Sequence, residues 1–169
     1  MKGIANRPAD VELASNPELT AVLDNCYRRH FGNIRSISRP QDKERQIAGI
    51  DVILNFNDHR EPIFIDEKIR REDYGDILLE EYSNYEKKTK GWLEENLRTH
   101  FISYIWINEQ KMLILPYQSL RLAYLSNKAR WTGMFQRRFA QNNGYKTSNI
   151  PIATQELFDG IWRASWELW

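Results

Sequence analysis

The chain has a single cysteine, Cys26, in 169 residues. That excludes an internal disulfide and a cysteine-built zinc site. No apolar run approaches the ~18 residues that a membrane-spanning helix needs, and nothing in Met1 to Asp10 resembles a signal peptide. An intracellular, cytoplasmic protein without membrane contact is therefore expected. The three histidines, His30, His59 and His100, have neither metal-ligand nor triad spacing. Walker A, G-x-G-x-x-G and G-x-S-x-G sequences are also missing, as are repeats, low-complexity tracts and long linkers. Phosphate-cradling loops and nucleophilic-serine hydrolysis are not where this chain points.

What it does have is ordinary globular material. Charged residues make up 28% and the hydrophobic set 41%, enough apolar surface for one sizeable core and too much for disorder. One α/β domain over residues 1–169 is the expected organisation. The net charge of +1 conceals a division. Residues 1–85 hold 12 Lys/Arg against 16 Asp/Glu, whereas residues 86–146 hold 11 against 4. Acids gather in the first half and cations follow. An acidic metal pocket beside a cationic surface suits a phosphodiester substrate; solvated faces give the same tally.

Asn16-Pro17-Glu18 reads as a helix start, with a capping side chain, Pro at the first position and an acid in the first turn. Leu19, Val22, Leu23, Cys26 and His30 continue at helical spacing to Phe31-Gly32. A short strand is expected over 34–38, then two strands over 50–54 and 63–68 joined by the turn Asn57-Asp58-His59-Arg60. A third strand is expected over 77–82, a short helix over 92–97, and strands over 101–107 and 112–115. From Tyr117 the pattern reads as helix to about Gln141, carried by Trp131, Phe135 and Phe139. Ile150-Pro151-Ile152 reads as a short edge strand before a final helix capped by Thr154.

Each of the paired strands carries acid where a buried strand should not tolerate it: Asp51 in Ile50-Asp51-Val52-Ile53-Leu54, and Asp66 in Ile63-Phe64-Ile65-Asp66-Glu67-Lys68. Residues two apart on a strand share a face, so Asp66 and Lys68 project together and Glu67 projects with Ile65. Antiparallel pairing brings Asp51 and Asp66 to the same end. Two adjacent carboxylates repel unless a proton or cation lies between them, and hard oxygen ligands suit Mg²⁺ or Mn²⁺. Lys68 can orient water or offset charge on a phosphoryl group. The alternative is an edge hairpin whose charges are solvated, with Asp66 and Lys68 simply paired.

Gly49-Ile50-Asp51 and Asp66-Glu67-Lys68 together resemble the two motif elements of the PD-(D/E)XK nuclease superfamily. The order of elements over about 16–107 is similar to that family's α-β-β-β-α-β core. The resemblance implies a restriction-endonuclease-like fold, a mixed central sheet flanked by helices. It further implies metal-dependent hydrolysis of DNA, with Asp51 and Asp66 as metal ligands and Lys68 as the catalytic lysine. Glu67 would contribute its backbone carbonyl to the metal. The family's X position is usually apolar, so the Glu67 side chain needs a basic partner or a place in the site. Glu18, Glu44 or Gln46 are candidates to complete it, and Glu80 and Glu81 offer a further carboxylate.

Cations for a phosphate backbone are sought in Lys128, Arg130, Arg137 and Arg138 on the basic helical segment 117–141, with Trp131 either stacking on a base or buried as core. The tail 161–169 puts Trp162, Trp166 and Trp169 on one helical face, which either closes over the domain or makes a homodimer contact. The alternatives to a nuclease are a non-catalytic nucleic-acid-binding or assembly module of the same fold, and an interaction protein working through its tryptophan tail.

Overall fold

The computed structural model describes residues 16–166. The chain is of the α/β class, with a mixed sheet and flanking helices. Its packing groups into two compact units, residues 16–71 with 97–115, and residues 72–96 with 116–166.

The first unit opens with helix α1, Pro17–Phe31. The Asn16 side chain accepts the amides of Glu18 and Leu19 at 2.9 and 3.3 Å, and Gly32 ends the helix at φ +60°, a conformation that favours glycine. Strand β1 (Ile34–Ser38), the short helix α2 (Lys43–Ile47), β2 (Val52–Phe56) and β3 (Ile63–Arg70) follow. Leu23 and Tyr27 of α1 pack on Val52, Leu54, Phe56 and Ile65 of the sheet. These are the alternate residues of β2 and β3 that face the helix, and they form the core of the unit.

The chain then leaves this sheet and returns to it. Strand β4 (Asp76–Asn84), β5 (Thr89–Lys90) and a single 3₁₀ turn at Trp92–Glu94 intervene before β6 (Phe101–Trp106) and β7 (Lys111–Pro116). The first sheet has the order β1-β2-β3-β6-β7, with β2 antiparallel to both neighbours and β6 parallel to β3. Two expectations are corrected here. The strand expected over 77–82 exists but belongs to another sheet, and the helix expected over 92–97 is only one turn. β5 pairs back on β4 as a two-stranded hairpin, and just after it Gly91 lies so close to β4 that any Cβ would overlap the Glu80 carbonyl.

The second unit has a four-stranded sheet of order β5-β4-β9-β8. It is completed by helix α3 (Tyr117–Met134), β8 (Arg138–Gln141), β9 (Lys146–Ala153) and helix α4 (Thr154–Trp166). The helical segment expected to reach 141 stops at Met134. Arg138–Gln141 instead pairs antiparallel with β9, turning through Asn142-Asn143-Gly144 with Gly144 at φ +81°. Cross-strand hydrogen bonds outcompete the four-residue apolar spacing that read as helix. The edge strand expected at 150–152 is likewise the end of a longer strand lying between β4 and β8. Gly160 of α4 packs under Trp131 of α3, leaving 2.7 Å between an added Cβ and the ring. Among the described residues no helix is long and apolar enough to cross a membrane.

Candidate active site

Strand pairing brings the two acids together. The β2–β3 register sets Val52 opposite Ile65 and Ile53 opposite Phe64, so Asp51, one residue before β2, falls opposite Asp66. Its amide donates to the Ile65 carbonyl at 2.9 Å. Asp51 Oδ2 accepts the Glu67 amide at 2.9 Å, which fixes that carboxylate at the end of the hairpin. Asp66 is 3% exposed, and Lys68 Nζ donates to its Oδ1 at 2.7 Å. The register leaves the two carboxyls as cross-strand neighbours, and Asp51 raises Asp66 electrostatically.

The electrostatics follow from that geometry. The Asp66 carboxyl is raised to about 7, with burial the main cause, Lys68 opposing it and neighbouring Asp51 adding to it. Near neutral pH this carboxyl is therefore divided between its two protonation states. Two hard oxygen donors that repel each other and compete for a proton fit a divalent cation such as Mg²⁺ or Mn²⁺. Among the described residues no third His, Cys, Asp or Glu joins the pair, so carbonyl oxygens and water would have to complete the shell.

Glu67 has the basic partner that its position demands. It lies on the opposite sheet face from Asp66, where Tyr27 donates to Oε1 at 2.8 Å and Arg39 Nη1 to Oε2 at 2.9 Å. Arg39 Nη2 also donates to Asp24 Oδ1 at 2.7 Å. Burial raises the Glu67 carboxyl above its ordinary range, although Arg39 and Tyr27 draw it down. The side chain is thus no part of the acid cluster. Its backbone remains: the Glu67 N–H points to Asp51, and in a strand the carbonyl of the same residue points the same way.

Asp24, Tyr27 and Arg39 escaped the sequence reading because nothing local joins a helix, the residue after β1 and a strand. Of the candidates to complete the site, Glu18 lies at the N-terminus of α1 and Gln46 is exposed on α2. Glu44 lines a concavity with Phe64 and Arg98. Glu81 is committed to Arg137 and to the Ser148 hydroxyl in the second unit.

His100 is better placed than its sequence spacing indicates. The parallel β3–β6 register pairs Asp66 with Ile102, so His100 sits one row earlier on the same face. Its Nδ1 accepts the Phe64 amide at 2.9 Å, and its ring stacks on Phe64 with centroids 5.1 Å apart.

The four cations sought for nucleic acid are all engaged by acids. Lys128 pairs with Glu94 at 2.5 Å, Arg137 with Glu81 at 2.5 Å and Arg138 with Asp76 at 3.0 Å. Arg130 pairs with Glu156, the carboxylate that also accepts Trp131 Nε1–H at 2.9 Å. Trp131 is fully buried, which removes it as a stacking platform. Trp162 is 65% exposed; the Trp166 side chain and residues 167–169 lie outside the described residues, and with them most of the expected dimer contact.

Comparisons with protein-family models, with curated proteins and with solved structures found no match to this chain.

Proposed function

We propose that this chain is a divalent-metal-dependent nuclease of the PD-(D/E)XK type that hydrolyses phosphodiester bonds in DNA. The observation that carries the reading is the Asp51–Asp66 pair, set opposite each other at one end of the hairpin by the β2–β3 register, with Lys68 bound to the buried member. An element order of helix, three antiparallel strands and a fourth strand parallel to the third supports the restriction-endonuclease-like core. The segment expected to supply a crossover helix instead enters the second sheet.

Asp51 and Asp66 would hold Mg²⁺ or Mn²⁺, with the Glu67 carbonyl beside them. The cation supplies Lewis acidity and a water of lowered pKa. The chain's own groups set the stage. Glu67 N–H orients the Asp51 carboxylate through Oδ2, and the second oxygen would serve as the metal ligand. Lys68 Nζ, a third exposed, remains reachable from solvent to orient an attacking water and to offset negative charge on the phosphoryl oxygens. Tyr27 and Arg39 hold the Glu67 side chain on the far face and so keep β3 from rotating its acids away.

The test is incubation of the chain with supercoiled, linear and single-stranded DNA in Mg²⁺, Mn²⁺ or EDTA. Cleavage should require metal and fall at least about 10²-fold in Asp66→Ala and Lys68→Ala. Retarded DNA that is never cut would favour the non-catalytic binding module instead.

A further inference from the structure

On the sheet face that carries Asp66, the first unit has a concavity of about 730 Å³, within the range of small-ligand sites. Ile50, Ile53, Pro62 and Phe64 provide its apolar surface, and Arg45 and Arg98 stand on its rim. Phe64 precedes Asp66 by two residues on β3, and Ile53 faces Phe64 as Asp51 faces Asp66. The concavity therefore begins one row, roughly 7 Å along the strand, from the acid pair.

Its two arginines differ. Arg45 is answered by Asp42 at 3.6 Å. Arg98 is anchored through its backbone, whose amide donates to the Ala48 carbonyl at 2.9 Å. Among the described residues its exposed guanidinium has no ion-pair or hydrogen-bond partner. That contrasts with Lys128, Arg130, Arg137 and Arg138, each already engaged by a carboxylate.

We propose that this concavity is the substrate groove, binding a single-stranded segment of nucleic acid with one backbone phosphate on Arg98 and an adjacent unpaired base against Pro62 and Phe64. The proposal rests on the nuclease reading for its substrate class. A guanidinium is the side chain best matched to phosphate, and apolar aromatic surface selects bases whose faces are free. One row of strand separates the groove from Asp51 and Asp66, about one nucleotide step of an extended strand. Glu44, on the same rim, repels a second phosphate and limits the contact to one.

Anisotropy of a labelled deoxyoligonucleotide, single-stranded or annealed and titrated in EDTA, reads binding without cleavage. The single strand should bind more tightly than the duplex. Arg98→Gln should weaken it about tenfold and lower the salt slope by about 0.7, the value for one phosphate on a single strand. Arg98→Lys should keep the slope, and Glu44→Gln should tighten binding. Equal affinity and slope in Arg98→Gln, with an unchanged melting temperature, would overturn the groove, as would a preference for duplex. Metal-dependent cleavage separates the two ideas. A wild-type chain that cuts DNA while Arg98→Gln binds normally loses the groove and keeps the nuclease. Arg98-dependent binding without cleavage in any metal keeps the groove and loses the nuclease.

Discussion

Asp66 is held where a carboxylate is costly, and that cost should be measurable without any metal. Its folded-state value of about 7 lies above the ordinary 3.8, so the fold binds this proton more tightly than the unfolded chain does. Its contribution to stability is then greatest below about pH 4 and is lost as pH rises through 7, by on the order of 4 kcal/mol. In EDTA, urea midpoints of the wild type should fall across that window, and those of Asp66→Asn should fall by less. Parallel curves would show that Asp66 is not the group responsible. Glu67 is a second buried carboxyl raised by burial, answered on the other sheet face by Arg39. Arg39→Ala strands that charge and should cost about 3 kcal/mol. Adding Glu67→Gln should recover part of the loss, and a double-mutant cycle in urea reads the difference.

At the scale of elements, adjacency in sequence decides how much can be read. The β2–β3 pair is local, and alternation alone placed Asp51 opposite Asp66 and turned Glu67 away. The β8–β9 pair is also local, and Asn143-Gly144 carried its turn signal, but the Trp131–Phe135–Phe139 spacing masked it. No local signal sends β4 to β9 rather than to β3. That choice depends on burying Ile77 and Leu79 with Ile150 and Ile152, residues joined only by the fold. The two helix-and-hairpin glycines test these elements. Gly91→Ala sets a methyl into the Glu80 carbonyl and should destabilise by about 3 kcal/mol. Gly133→Ala, in α3 with nothing within 4 Å, should stabilise by about 0.5–1 kcal/mol. Chemical denaturation of both variants checks the pair, and a tolerated Gly91→Ala would contradict the hairpin described.

For the whole molecule, the linear charge division marks a basic segment that includes Arg98 but does not show which of its cations are already paired. Residues 86–146 carry a clear basic excess, yet Arg130, Arg137 and Arg138 meet Glu156, Glu81 and Asp76 from outside that segment. Lys128 meets Glu94 from within it. Their first effect is therefore on stability. Lys128→Gln and Arg138→Gln should each lower the melting temperature by a few degrees, corresponding to about 1 kcal/mol for partly exposed pairs. The salt slope of oligonucleotide binding should stay unchanged. A slope that falls with either substitution would assign phosphate contacts to these paired cations as well.

The sequence by itself determined the α/β class, the first helix with its cap and glycine stop, and the acid-bearing hairpin. Each of these depends on spacing and turn chemistry within a few tens of residues. Tertiary structure alone decided the rest: the Tyr27–Glu67–Arg39–Asp24 network, the parallel β3–β6 register that brings His100 beside Phe64, and the acids that meet the basic segment. These contacts join residues far apart in the chain. Such pairs are selected by which surfaces can be buried and which charges can be answered once the sheets have formed, and no local pattern records that outcome.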